Sequence, residues 1–96
     1  MMRLESKKRS LLKQSIIKIL PQAEIYLFGS RTDDTRKGGD IDLLILGDRT
    51  LTLSEQSDIR FEFERHFGEQ KLDLVSMRHQ DEDPFKTLIL NEAIPL

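Results

Sequence analysis

Two aspartates interrupt the most apolar segment of the chain and restrict what that segment can become. The sequence DIDLLIL begins with Asp40 and Asp42, which are one residue apart. Successive side chains of a β-strand point to opposite faces of a sheet, so both carboxylates share one face. Ile41, Leu43 and Ile45 then share the other face. Because an ionised carboxylate is costly to bury, the segment predicts a strand with a core face and an open face.

The remaining patterns predict alternating helices and strands. Apolar residues recur at helical spacing in two segments, one that ends at Pro21 and one that ends at Gly68. The predicted helices include residues 12–20, 52–67 and a last one from residue 84, and the predicted strands are 24–28, 40–46 and 71–77. We therefore expect an α/β (α+β) fold, with a small mixed three-stranded sheet, helices packed on one face and the other face open.

Length and composition limit the classes of protein to consider. The 96 residues predict one domain, residues 1–96, with a small core that a partner chain can help to stabilise. A formal net charge of −2 provides no overall attraction to nucleic acid. The chain has no cysteine, which excludes disulfides and thiolate metal sites and suits the cytoplasm. No apolar run is long enough to predict a membrane span or a signal peptide.

A third carboxylate is expected on the open face. In the strand at 71–77, Leu72 and Leu74 point one way and Asp73 points the other. If the two acidic strands are neighbours, Asp40, Asp42 and Asp73 meet and repel one another, which raises at least one pKa. A divalent cation removes this repulsion, and carboxylate-only sites select hard ions such as Mg²⁺. Simple solvent exposure of alternate residues is the other interpretation of this pattern.

A Gly-Ser pair precedes the aspartates by a short distance. Gly29 lets backbone approach a ligand closely, and Ser30 offers a hydroxyl and a backbone N–H. Ser30 also has the spacing of a helix N-cap relative to Asp33, so a short helix beginning here would direct its amides at a phosphate. A plain capped turn explains the same residues.

The Gly-Ser pair and the three aspartates together indicate a protein family more specifically than either feature does alone. A strand, Gly29-Ser30, nine residues, Asp40-x-Asp42 and then Asp73 on the next strand resemble the DNA polymerase beta-like nucleotidyltransferase superfamily. Within it, the chain looks like the minimal nucleotidyltransferases (MNT proteins) that are encoded beside HEPN-domain partners. The resemblance covers nearly the whole chain, and the closing ILNEAIPL is similar to the end of that family's last helix. One departure is the sequence Thr32-Asp33-Asp34, which adds negative charge beside the phosphate-binding turn.

The resemblance implies roles at the matching positions. The metal-binding and catalytic set, for two Mg²⁺ ions, would be Asp40, Asp42 and Asp73, and the nucleotide-binding set, for the phosphates of ATP, would be Gly29, Ser30 and Arg31. Asp73 would also activate the attacking hydroxyl. The implied reaction is attack on the α-phosphorus of a nucleoside triphosphate with loss of pyrophosphate.

The leading hypothesis is an antitoxin that transfers AMP from ATP to a tyrosine of its HEPN toxin partner. One alternative is a non-catalytic binding module that neutralises a HEPN protein by forming a complex with it. Another is nucleotidyl transfer to a small molecule or to RNA, which the basic N-terminal helix favours only weakly. A homodimer and a hetero-complex with a HEPN protein both fit the sequence.

Overall fold

The computed structural model of the protein describes residues 5–29 and 40–96. They form three helices and four strands, which in chain order are α1 (Ser6–Ile19), β1 (Glu24–Phe28), β2 (Ile41–Gly47), α2 (Leu53–Phe67), β3 (Leu72–Arg78), α3 (Pro84–Glu92) and β4 (Ile94–Pro95). No helix within the described ranges is both long and apolar enough to cross a membrane.

The strands form one mixed sheet in the order β3-β2-β1-β4. β2 lies at its centre, antiparallel to β1 and parallel to β3. The mixed α/β class and the adjacency of the two acidic strands are therefore confirmed.

The sheet has a fourth strand where the sequence predicted the end of a helix. α3 ends at Glu92, Ala93 is extended with ψ 152°, and Ile94–Pro95 pair with Tyr26 and Leu27 of β1. Ile94 precedes a proline, and the proline ring disfavours helical backbone at the residue before it. The expectation of three strands was therefore wrong by one short edge strand.

α1 and α2 pack on one face of the sheet, as predicted. The odd-numbered side chains of β2 lie in this core with Phe63 of α2, which is 1% exposed. The other buried members of this core are Leu12, Ile16, Leu20, Ile25, Leu27, Leu51, Ile59 and Leu72. The odd-numbered side chains of DIDLLIL therefore lie in the core, as predicted.

The opposite face is partly covered, which corrects the expectation that the helices share one face. Ile89 of α3 packs there against Leu44 and Leu46, which are 0% and 4% exposed. Both leucines lie on the same side of β2 as Asp42, further along the strand. Because the residues that follow Asp42 on that face are apolar, α3 packs on them, whereas Asp42 itself is half-buried at the start of β2.

Side-chain hydrogen bonds hold α2 against the sheet. Thr52 and Glu55 form the predicted capping box at its N-terminus, and Gly68 is its C-cap. The backbone N–H of Leu51 donates to Ser76 Oγ of β3 at 2.8 Å. Arg60 Nε donates to the carbonyl of Leu72 at 2.9 Å. These two contacts join the helix to both halves of the strand that carries Asp73.

Candidate active site

Asp42 and Asp73 are direct neighbours on parallel strands. The register of β2 and β3 pairs Asp42 with Asp73, just as it pairs Leu43 with Leu74 on the core side. On the other side of β2, Asp42 is paired with Phe28, the last residue of β1. Asp42 is half-buried in this position. The two carboxylates were predicted to meet only if their strands are neighbours, and this register shows that they are.

The surroundings of Asp42 shift the pKa of its carboxyl group. Burial raises the pKa of Asp42 above its usual value, and a hydrogen bond to Asp73 and the charges of Asp73 and Asp40 raise it further. The charge of Lys71 acts in the opposite direction and lowers it. A raised pKa means that negative charge at Asp42 is incompletely compensated by the protein.

Asp40 lies beside this pair rather than within it. Its charge reaches Asp42, and its Oδ2 is 4.0 Å from Nζ of Lys71. Across residues 5–29 and 40–96, no three Asp, Glu, His or Cys side chains are close enough together to bind one ion. The structure therefore brings two of the three predicted carboxylates together and places the third nearby.

The backbone of Gly29 lies against the side chain of Asp42. Its backbone has a φ of +80°, a conformation that side-chain-bearing residues rarely adopt. A Cβ at this position would overlap Asp42 Oδ2 and would lie 3.0 Å from Asp42 Cγ. The glycine that the sequence assigned to phosphate binding therefore packs directly against a predicted metal ligand.

The rest of the predicted phosphate-binding turn lies outside the described residues. This applies to Ser30 and Arg31, which were expected to bind nucleotide, to Asp33, which was expected to cap a short helix, and to Asp34, whose negative charge had no assigned role. These assignments remain predictions.

Two basic residues of the site were not assigned a role from the sequence. Lys71 lies two residues before Asp73, so the same alternation that placed Asp73 could have placed Lys71 on the carboxylate side. Arg60 holds the carbonyl of the residue before Asp73. No local pattern reveals this second contact, because it joins a helix to a strand that follows it.

The donor set fits a hard divalent cation. Carboxylate oxygens are the ligands that Mg²⁺ prefers, and two carboxyl groups in contact are favourable only when a proton or a cation lies between them. The raised pKa of Asp42 shows the same imbalance of charge. The binding of a cation and of a phosphate at this end of the sheet stays a prediction.

Comparison with known proteins gives a family match. The family model described as polymerase beta, nucleotidyltransferase, matches residues 9–96. This range includes Gly29, Asp40, Asp42 and Asp73. A search of curated proteins gave no match.

Three solved structures share the fold, and two of them are toxin–antitoxin complexes. A crystal structure of a mutant of the MntA-HpeT toxin–antitoxin matches at 23% identity and a TM-score of 0.61, over 98% of this chain and 71% of that one. A structure from Shewanella oneidensis matches at 20% identity and a TM-score of 0.60, over 96% of this chain and 71% of the other.

A third similar structure is the tri-AMPylated Shewanella oneidensis HEPN toxin in complex with MNT antitoxin. It matches at 21% identity and a TM-score of 0.55, over 92% of this chain and 70% of that one. At these identities the structures establish a shared fold.

Proposed function

The chain belongs to the polymerase beta nucleotidyltransferase family, and from that membership we propose that it transfers AMP from ATP to a hydroxyl group of a HEPN toxin. In this role it is the antitoxin of a HEPN/MNT pair. The observation that carries the proposal is the contact of Asp42 with both Asp73 and Gly29. This contact joins a cation-binding carboxylate pair to the glycine that begins the predicted phosphate-binding turn.

The proposed reaction is a displacement at phosphorus. The acceptor hydroxyl oxygen forms a bond to the α-phosphorus of ATP, and the bond from that phosphorus to the bridging oxygen of pyrophosphate breaks. The hydroxyl proton passes to Asp73, which is paired with Asp42 on the neighbouring strand. Positioning and charge supply most of the catalysis in reactions of this kind.

Asp40, Asp42 and Asp73 would hold Mg²⁺ in this proposal. Bound there, Mg²⁺ would lower the pKa of the attacking hydroxyl and stabilise the negative charge of the leaving pyrophosphate. Gly29 would let the backbone approach the triphosphate, and Ser30 and Arg31 would bind its phosphates, as the family resemblance implies. Lys71, whose Nζ is 4.0 Å from Asp40 Oδ2, lowers the pKa of Asp42 and so offsets part of the repulsion at the site.

The proposed partner follows from the fold neighbours. One similar structure is an MNT antitoxin with a tri-AMPylated HEPN toxin, which shows the product of such a transfer in that complex. The shared fold and the family match support the same pairing for this chain. A cytoplasmic location, where ATP is available, is part of the same proposal.

The test uses the protein encoded beside this one. We expect the wild-type chain, with Mg²⁺ and ATP labelled at the α-phosphate, to label that purified neighbour, and the Asp42→Asn variant to label it at least about 100-fold more slowly. The matched control is Asp48→Asn, because Asp48 is exposed and lies just beyond the opposite end of β2.

The outcomes separate the alternatives. Loss of labelling in Asp42→Asn but not in Asp48→Asn supports the transferase. Absence of labelling by the wild type, with Asp42→Asn still neutralising the toxin, would contradict it and favour the non-catalytic antitoxin. Labelling of RNA or of a small molecule, with none of the neighbouring protein, would reassign the acceptor.

A further inference from the structure

Helix α3 turns most of its apolar residues toward solvent. Leu88 is 66% exposed, Phe85 is 48% exposed and Leu90 is 37% exposed, whereas only Ile89 in this helix is buried. Phe85 and Leu88 are three residues apart and therefore adjacent on the helix surface, and we call these two residues the α3 patch. Leu90 lies on the other side of Ile89. Apolar side chains grouped on one short helix, beside a helix residue that already fills the core, are typical of an interaction surface.

The α3 patch lies on the same side of the sheet as the candidate site. Ile89 anchors α3 on Leu44 and Leu46. These leucines share a face of β2 with Asp42, and Leu44 is two residues beyond it, a distance of about 7 Å along a strand. A protein docked on α3 would therefore extend over the carboxylates, whereas one docked on α1 or α2 would lie on the opposite face.

The charges around the patch are acidic. Residues 81–96 contain four acidic residues, Asp81, Glu82, Asp83 and Glu92, and a single basic one, Lys86. Nζ of Lys86 is occupied by the carbonyl oxygens of His79 and Asp81. Asp81 is paired with Arg78, and the Asp83 carboxylate accepts the backbone N–H of Phe85 as the N-cap of α3. Glu82 and Glu92 are exposed at the two ends of the helix. The complementary surface is apolar with a basic rim.

We propose that the α3 patch is the docking surface for the acceptor protein, and that this acceptor presents an apolar face with Lys or Arg at its edge. This inference rests on the proposed function, which requires a protein hydroxyl to reach Asp42 and Asp73. It adds the surface that brings the hydroxyl there and the chemistry of the partner that fits it. The acidic charge of residues 81–96 and the position of α3 on the carboxylate face favour the acceptor as the occupant.

The test measures binding separately from transfer. Isothermal titration of the purified neighbouring protein, without ATP or Mg²⁺, compares the wild type with Leu88→Lys and Glu92→Lys. The matched control is Phe61→Lys on α2, because Phe61 is also 66% exposed but lies on the helix that packs on the opposite sheet face. Each variant is first checked for an unchanged melting temperature.

We expect Leu88→Lys to weaken binding by about tenfold or more, as for a residue at the centre of an interface. Glu92→Lys should weaken binding less and should remove part of its salt dependence. Phe61→Lys should bind like the wild type. Asp42→Asn should also bind like the wild type while failing to transfer, so failure of the docking surface and failure of the proposed chemistry give different results.

Three results would overturn the inference. The first is unchanged binding of both α3 variants. The second is loss of binding in Phe61→Lys alone, which would place the partner on α2. The third is a change in self-association of the isolated chain with Leu88→Lys but no change in binding of the neighbour, which would identify a second copy of this chain as the occupant.

Discussion

Two glycines among the described residues have a positive φ but differ in what surrounds them. Gly29 and Gly68 have φ values of +80° and +79°. A Cβ added at Gly29 would overlap Asp42, whereas a Cβ at Gly68 would meet nothing within 4 Å. The pair therefore separates the cost of the backbone conformation from the cost of disturbing the site.

Gly29→Ala should abolish AMP transfer and destabilise the protein by about 1–3 kcal/mol. The new methyl group pushes on the Asp42 carboxylate, and the backbone strain adds to this effect. Chemical denaturation and the labelling assay measure the two effects. Gly68→Ala should carry a similar backbone cost yet keep its transfer activity, and equal activity losses in both variants would show that the contact with Asp42 is unimportant.

Asp42→Asn should make the protein without divalent ions more stable at pH 7. The pKa of Asp42 is raised in the folded state above its usual 3.8, so folding loses stability as the pH rises through that range and Asp42 ionises. Asparagine removes this loss. Because solvent screens a half-exposed pair, we expect a gain on the order of 0.5–1 kcal/mol.

Denaturation in the presence of a chelator checks this expectation. The difference between Asp42→Asn and the wild type should disappear below pH 3.8, where both side chains are neutral. Asp48→Asn should show no comparable gain at pH 7. A destabilised Asp42→Asn protein would contradict the view that uncompensated charge is concentrated at this residue.

At the scale of elements, the N-terminus of α2 contains the most strongly shifted acid of the described residues. Hydrogen bonds from Arg49, at 2.8 and 2.9 Å, and from the backbone of Thr52, at 2.9 Å, lower the pKa of Glu55 to about 2. A lowered pKa stabilises the fold above the unfolded value of 4.5, and this contribution is lost as the pH falls toward 2.

Glu55→Gln should therefore lower the melting temperature at pH 7, and the difference from the wild type should shrink as the pH falls from 4.5 to 2. Glutamine can keep the capping contact but loses the paired hydrogen bonds to the Arg49 guanidinium. Thermal unfolding across this pH range measures the effect. Glu64→Gln on the same helix is the control, and an equal, pH-independent effect in both variants would show that the ion pair is not its source.

At the scale of the whole molecule, a small core makes stability sensitive to ligands. Folded protein that binds a ligand at 100 times its dissociation constant gains about 2.7 kcal/mol. We expect ATP to raise the melting temperature in the presence of Mg²⁺ and to have little effect with a chelator. Asp40→Asn should lose this response, and an ATP effect independent of Mg²⁺ would contradict a cation-linked phosphate site.

Much of the site was predictable because it depends on local alternation. Asp42 and Asp73 each sit in a strand whose neighbouring side chains are apolar, and alternation alone assigned both to the same side once the strands were adjacent. Lys71 could have been found by the same reasoning. Arg60 could not, because its partner is a backbone carbonyl, and any residue type at position 72 offers the same acceptor.

The errors in the fold prediction concern contacts that a local pattern does not contain. The sequence of α3 predicts an amphipathic helix. The sheet face that it covers is set by Leu44 and Leu46, which α1 and α2 leave uncovered because those helices pack on the other face. β4 has two residues, which is too short for a periodic signal, and it exists only because β1 offers a free edge.

The sequence by itself determined the helices α1 and α2, the strands β1 to β3, and the side of β2 that carries carboxylates, because period and parity are properties of neighbouring residues. Only the tertiary structure decided that α3 covers the carboxylate face, that β4 closes the sheet edge, and that Gly29 packs on Asp42. Each of these results from close packing between segments distant in the chain. The predicted cation site and the exposed α3 patch thus share one face of the sheet, because that face is apolar at one end and charged at the other.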